Sequence, residues 1–70
     1  MVVRTFDDRL RKALKDKNIT QRQLARMTGL NESLISSYCR GIRTPRMKNL
    51  RILACALGVT EEWLAFGMED

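Results

Sequence analysis

TQRQLARMTGLNESLISSYCRG, residues 20–41, decides how this chain is read. Thr20 is an N-cap residue, and Gln23 three places on completes a Thr-x-x-Gln capping box. Leu24, Ala25 and Thr28 then form a short inward stripe. Gly29 supplies the positive φ at which a helix can stop in a tight turn. Leu30 is the apolar plug of that turn, Asn31 caps the next helix, and Gly41 stops it. The stretch therefore predicts two short helices joined at Gly29, the second over 31–40. Ile35 and Tyr38 mark its inner side, with Leu34 at the margin. Its outer side carries Asn31, Glu32, Ser33, Ser36, Ser37 and Arg40.

The flanks read as braces. Upstream, Thr5 is an N-cap, with Asp8 placed as in a capping box, and Phe6, Leu10, Ala13 and Leu14 recur at helical spacing. Arg9, Arg11, Lys12 and Lys15 fall mostly off that apolar face. Asn18 tolerates the left-handed conformation that ends a helix. Downstream, Thr44 with Pro45 behind it reads as an N-cap followed by proline at the first helical position. Leu50, Leu53, Ala54 and Leu57 face inward and Gly58 stops that helix. Val59 packs, Thr60 caps a short last helix holding Trp63 and Leu64, Gly67 ends it, and Met68–Asp70 reads as a frayed end. No strand pattern or repeat is present. The expectation is an all-α, single-domain chain over residues 1–70, with helices at 5–17, 20–28, 31–40, 45–57 and 60–66.

Bulk composition narrows the function. The 70 residues are 44% hydrophobic, enough for one small core. No apolar run approaches the roughly 20 residues that span a bilayer, and the N-terminus lacks a secretory apolar region, so a cytoplasmic location is expected. There is no histidine, so the commonest general base is missing. No phosphate-cradling glycine loop appears, and the acids form no obvious inward pair. An enzyme is not expected. Cys39 and Cys55, without another soft ligand, make no zinc site; a disulfide between them and free thiols in packing positions are both open, with base rates favouring free thiols. No metal, cofactor or small-molecule ligand is expected.

Charge is distributed unevenly. The net charge is +5, made of +3 over residues 1–19, +5 over 20–50 and −3 over 51–70. A chain that gathers positive charge in this way suits a polyanionic partner. The short polar residues outside the second helix of the pair suit a major groove about 12 Å wide. Asn31, Glu32, Ser33, Ser36 and Ser37 are the candidate base readers. Glu32 has two open readings, a cytosine acceptor or an acid that favours the helix dipole, and Asn31 has two, base contact or cap alone. Thr20, Gln21, Arg40, Arg43, Thr44, Arg46 and Lys48 are the candidate phosphate holders, at or beside helix N-termini whose free N–H groups attract anions.

The quoted stretch, with R-T-P at residues 43–45 and L-x-x-A-L-G-V-x-x-x-W-L at 53–64, resembles the lambda-repressor-like, Cro/cI-type (XRE) family of helix-turn-helix domains. The motifs T-Q-x-x-L-A, x-x-x-G-L and I-S-x-Y-x-x-G carry the likeness, which covers about residues 5–66. The resemblance implies a compact five-helix lambda-repressor-like domain and a recognition helix at Asn31–Arg40. It also implies a homodimer on a two-fold operator of double-stranded DNA, with half-sites one helical turn apart, as in that family. It puts Gln21, Arg40, Arg43 and Arg46 at or near phosphate-contacting positions, and Asn31, Glu32, Ser33 and Ser37 at base-reading ones. The dimer surface would lie near the end of helix four and helix five, with Ile52, Ala56, Glu61 and Ala65 as candidates. The implied role is a phage- or mobile-element-type transcriptional repressor, either a complete Cro-like protein or the DNA-binding part of a longer one. A restriction–modification controller, an antitoxin and a protein-interaction bundle are the competing readings.

One departure stands out. Many members of that family bury an Arg late in helix one against a Glu near the end of helix three. Leu14 and Cys39 occupy those positions here, so both partners are lost together. The expectation is that Leu14 packs near Cys39 as an apolar substitute.

Overall fold

The computed structural model describes residues 4–68. Of the frayed end expected at Met68–Asp70, Glu69 and Asp70 lie outside the described residues, as do Met1–Val3. Five helices follow in order: α1 Phe6–Lys17, α2 Gln21–Thr28, α3 Glu32–Cys39, α4 Met47–Leu57 and α5 Glu61–Phe66. The described residues contain no strand.

Local signals set most boundaries. The Thr20 hydroxyl accepts from the Gln23 N–H at 3.0 Å while the Gln23 side chain accepts from the Thr20 N–H at 2.7 Å, closing the expected box. Asn31 Oδ1 accepts from the Ser33 N–H at 2.7 Å, and Thr60 Oγ1 from the Trp63 N–H at 3.0 Å. Asn18 ends α1 at φ 58°, the only non-glycine positive φ among the described residues. Gly29 ends α2 at φ 76°. Thr28 reinforces that turn, its hydroxyl donating to the Leu24 carbonyl and accepting from the Leu30 N–H.

Each helix contributes one wholly buried aliphatic side chain to a shared core: Leu10, Leu24, Ile35, Leu53 and Leu64. Each such burial stabilises by about 1.5–3 kcal/mol. Ala13, Leu14, Tyr38, Cys39, Leu50, Ala54 and Leu57 complete the cluster. α1 packs on α3, α4 and α5, and α2 on α3 and α4. Leu14 and Cys39 are both buried in this cluster, in place of charge.

Three expectations are corrected. Helix four begins at Met47, not Pro45. Arg46 is still extended, at ψ 170°, and is the N-cap, while Pro45 lines an apolar groove with Phe6, Leu50 and Phe66. Thr44 therefore caps nothing. In α1 the Asp8 N–H donates to Thr5 at 3.3 Å, but the Asp8 carboxylate pairs with Arg11, so the reciprocal half of the box is not formed. Arg9, expected off the apolar face, is 5% exposed. Its guanidinium reaches the last carbonyls of α5, which have no helical partner of their own.

Candidate nucleic-acid interface

The outer face of α3 survives, with its hydrogen-bonding capacity redistributed. Asn31, Glu32, Ser33 and Arg40 are exposed, while Ser36 and Ser37 are half-buried. Asn31 spends its carbonyl oxygen on the cap, which leaves its amide to donate. The Ser37 hydroxyl donates to the Ser33 carbonyl at 3.0 Å, leaving its oxygen to accept. Glu32 stands in the first turn, where it also favours the helix dipole.

Backbone donors frame this face on both sides. In α2 the capping box takes the Gln23 N–H, and Leu24 bonds back to the Thr20 carbonyl. The N–H groups of Gln21 and Arg22 have no partner within the first turn. In α4 no side chain caps the N-terminus, and the first helical bond is Leu50 N–H to the Arg46 carbonyl at 2.9 Å. Met47, Lys48 and Asn49 thus present three free N–H groups, a ready seat for an anion. The loop between α3 and α4 is tied to α3. Ile42 and Arg43 both donate their N–H groups to the Ser37 carbonyl, at 3.0 and 3.3 Å. That holds Arg43, four residues past the last residue of α3, close against its last turn. Arg43, Thr44, Arg46 and Lys48 then line one open cleft with Leu34, Tyr38 and Asn49.

The C-terminal end of α3 is held from behind. Arg11 donates to the Cys39 carbonyl and pairs with Asp7, at 3.1 Å, and with Asp8. The Thr5 hydroxyl holds the Asp7 carboxyl below its ordinary value, with the Arg11 hydrogen bond adding to it. Burial pushes the Cys39 thiol up. Cys39 and Cys55 are free, one buried and one exposed.

A helix-turn-helix family model matches residues 10–64. The chain belongs to this helix-turn-helix family. It is 37% identical over 65 residues to the HTH-type transcriptional regulator for conjugative element R391 of Providencia rettgeri, a match that takes in 93% of this chain and 30% of that protein. The chain thus spans about a third of the length of that relative. Among solved structures it resembles the P22 c2 repressor in complex with a synthetic operator (TM-score 0.86, 30% identity, 91% of this chain and 97% of the other). It also resembles the restriction–modification controller C.AhdI of Aeromonas hydrophila (TM-score 0.80, 34% identity, 84% and 89%).

Of the candidate residues in this helix-turn-helix, Arg43, Thr44, Arg46 and Lys48 meet in one cleft beside the end of α3, whereas the candidates for a dimer surface are dispersed. Ala65 lines the groove with Phe6, Pro45, Met47 and Phe66. Ile52 and Ala56 line a different depression, with Met27 and Cys55. Glu61 accepts from Arg51 at 3.0 Å. Two residues of that cleft escaped the sequence reading, Tyr38 and Asn49. By helical spacing Tyr38 reads as core alone. The available signal was a tyrosine, rather than phenylalanine, at an inward position, since a buried phenol usually finds a partner. Asn49 carried no signal beyond being polar in the first turn of α4.

Proposed function

We propose that this chain binds double-stranded DNA as a regulator of transcription. In this reading α3 enters the major groove, while Gln21 and the Arg43–Lys48 segment hold phosphates on either side. The observation that carries it is the arrangement of α3: a short-chained polar outer face flanked by two helix N-termini with free N–H groups, one of them beside Arg43, Arg46 and Lys48. Thr20 contributes as the cap that opens α2, and Arg40 belongs to the outer face of α3. The function is binding, not catalysis, and the expected location is the cytoplasm. No helix among the described residues is long and apolar enough to cross a membrane. Its likeness to a regulator of a conjugative element and to the P22 c2 repressor favours a repressor of mobile-element type.

The proposed assembly is a homodimer on a two-fold operator. An exposed apolar surface supports a second copy: Phe66 is 72% and Met47 58% exposed, beside a groove of about 420 Å³. This surface borders the α4 N-terminus, so two copies joined there would bring their phosphate-holding loops close to the dyad. Ala65 belongs to this seam, whereas Ile52 and Ala56 lie apart from it.

Binding of a labelled random-sequence duplex across a salt series tests the reading. Binding that weakens steeply with salt is expected, since displaced counterions drive it. No binding at about 50 mM salt, where such contacts are strong, overturns it. Selection from a random duplex library then returns the operator, and a palindromic consensus is the expected sign of the dimer.

A further inference from the structure

The Tyr38 ring is 3% exposed and meets the Phe6 ring edge-on, with centroids 6.2 Å apart. Its hydroxyl oxygen accepts from the Asn49 side-chain amide at 3.1 Å. A phenol has one proton to donate besides the lone pairs that accept. In this geometry the Asn49 amide donates to the oxygen, so the phenol proton is left to turn toward another acceptor, and none is found for it among the described residues. Tyr38 and Asn49 both line the cleft between the end of α3 and the start of α4. The other lining residues are Leu34, Arg43, Thr44, Arg46 and Lys48, three cations and no acid. The ligand such a cleft fits is an anion with several acceptor oxygens, small enough to reach a hydroxyl below the surface.

We propose that the Tyr38 hydroxyl, oriented by Asn49, is a DNA-contacting donor that hydrogen-bonds one backbone phosphodiester seated between α3 and α4. The inference rests on the DNA-binding reading and adds a neutral contact to the charged ones. The charged side chains attract the phosphate from any direction. The phenol is anchored in the core through Phe6 and fixed by Asn49, so it defines where the phosphate comes to rest. It thereby sets the depth of α3 in the groove.

Tyr38→Phe removes one oxygen and keeps the ring in the core. Its binding to a labelled random-sequence duplex is compared with the parent chain across a salt series, alongside Arg43→Ala, and thermal melting is recorded for each. The expected result is about tenfold weaker binding for Tyr38→Phe, equivalent to about 1.4 kcal/mol, with the slope of log affinity against log salt unchanged. A neutral donor releases no counterion, whereas Arg43→Ala should flatten the slope. Asn49→Ala, which frees the hydroxyl to turn, should weaken binding by less than Tyr38→Phe, again at constant slope. Equal affinity of Tyr38→Phe and the parent overturns the inference while leaving the DNA-binding reading intact. A flattened slope for Tyr38→Phe also overturns it, since the loss would then come from displaced cations. If the parent itself fails to bind, both readings fall.

Discussion

Arg9 donates from Nε to the Leu64 carbonyl at 2.8 Å, across 55 positions of sequence, and so ties the first helix to the last. Its Nη2 reaches the Ala65 carbonyl at 2.6 Å, and Nη1 the Arg4 carbonyl at 3.2 Å. α5 has only six residues, so most of its carbonyls lie in the last turn, where intrahelical partners run out. A planar guanidinium with several donors satisfies two of them at once. Arg9→Met should therefore cost about 2–3 kcal/mol, the cost of leaving buried carbonyls unsatisfied. Urea denaturation measures this. Arg9→Lys, with one point charge, should recover only part. A loss under about 0.5 kcal/mol, the size of an ordinary surface change, would refute the tie.

Gly67 should behave as part of the same tie. It ends α5 at φ 74°, and a Cβ there would lie 3.2 Å from Arg9 Nη1. Gly67→Ala then combines left-handed backbone strain with pressure on the guanidinium, and should destabilise by about 1 kcal/mol or more. In the Arg9→Met background the steric part disappears. The double variant should lose less than the two single losses combined, which a double-mutant cycle by urea denaturation detects.

The helix pattern was legible because most helix ends are written in local chemistry: Thr5, Thr20, Asn31 and Thr60 cap, and Asn18, Gly29, Gly58 and Gly67 close. Leu50, Leu53, Ala54 and Leu57 were readable as a buried face by period alone. What was not legible depends on distance in space. Arg9 looks like a surface cation until α5 brings carbonyls to it. Tyr38 looks like core until Asn49 is folded beside its hydroxyl. Thr44-Pro45 has the local form of a helix start, but Pro45 packs into the Phe6–Phe66 groove, and the helix begins two residues later. The candidate DNA contacts were readable from α3's polar face and the basic loop. The exposed apolar pair Phe66 and Met47 was not readable, because their exposure depends on how α4 and α5 pack, whereas Ala65 beside them was already a candidate.

Stability should fall on the acid side through Asp7. Its folded-state carboxyl is held below the ordinary 3.8 by Thr5 and Arg11. The unfolded chain then binds the proton more readily, so in that range stability rises with pH. Asp7's contribution is complete above its unfolded value and is lost as pH falls through the lower folded value. Urea midpoints from pH 7 downward should show a gap between the parent and Asp7→Asn that closes only below pH 3.8. A gap independent of pH would remove the carboxylate from the account.

Cys39→Glu should be strongly destabilising. Cys39 is 2% exposed, Leu14 offers no positive partner, and Arg11 is already engaged by Asp7, Asp8 and the Cys39 carbonyl. An uncompensated charge at such a site costs about 3–5 kcal/mol. Leu14→Arg together with Cys39→Glu should recover much of that, by rebuilding the pair that many relatives of this resemblance keep. The melting temperatures of the single and double variants decide it. An unchanged melting temperature for Cys39→Glu alone would show that positions 14 and 39 do not form one apolar contact.

Glu32 and Arg43 should fail in different ways when changed, and the difference separates reading from holding. Glu32 is exposed in the first turn of α3, where a cytosine amino group is a fitting donor. Glu32→Gln should alter the bases returned by library selection at one position in each half-site, with a cost of about 1–3 kcal/mol on the parent's operator. Were Glu32 only a dipole residue, the same change would lower the melting temperature slightly and leave the selected bases alone. Arg43 follows α3 on a loop fixed by two bonds to the Ser37 carbonyl and lines the cleft between α3 and α4 with Arg46 and Lys48. Arg43→Ala should weaken operator and random duplex by the same factor and reduce the salt slope by about 0.9, one phosphate contact. A loss confined to the operator would move Arg43 from the backbone to the bases.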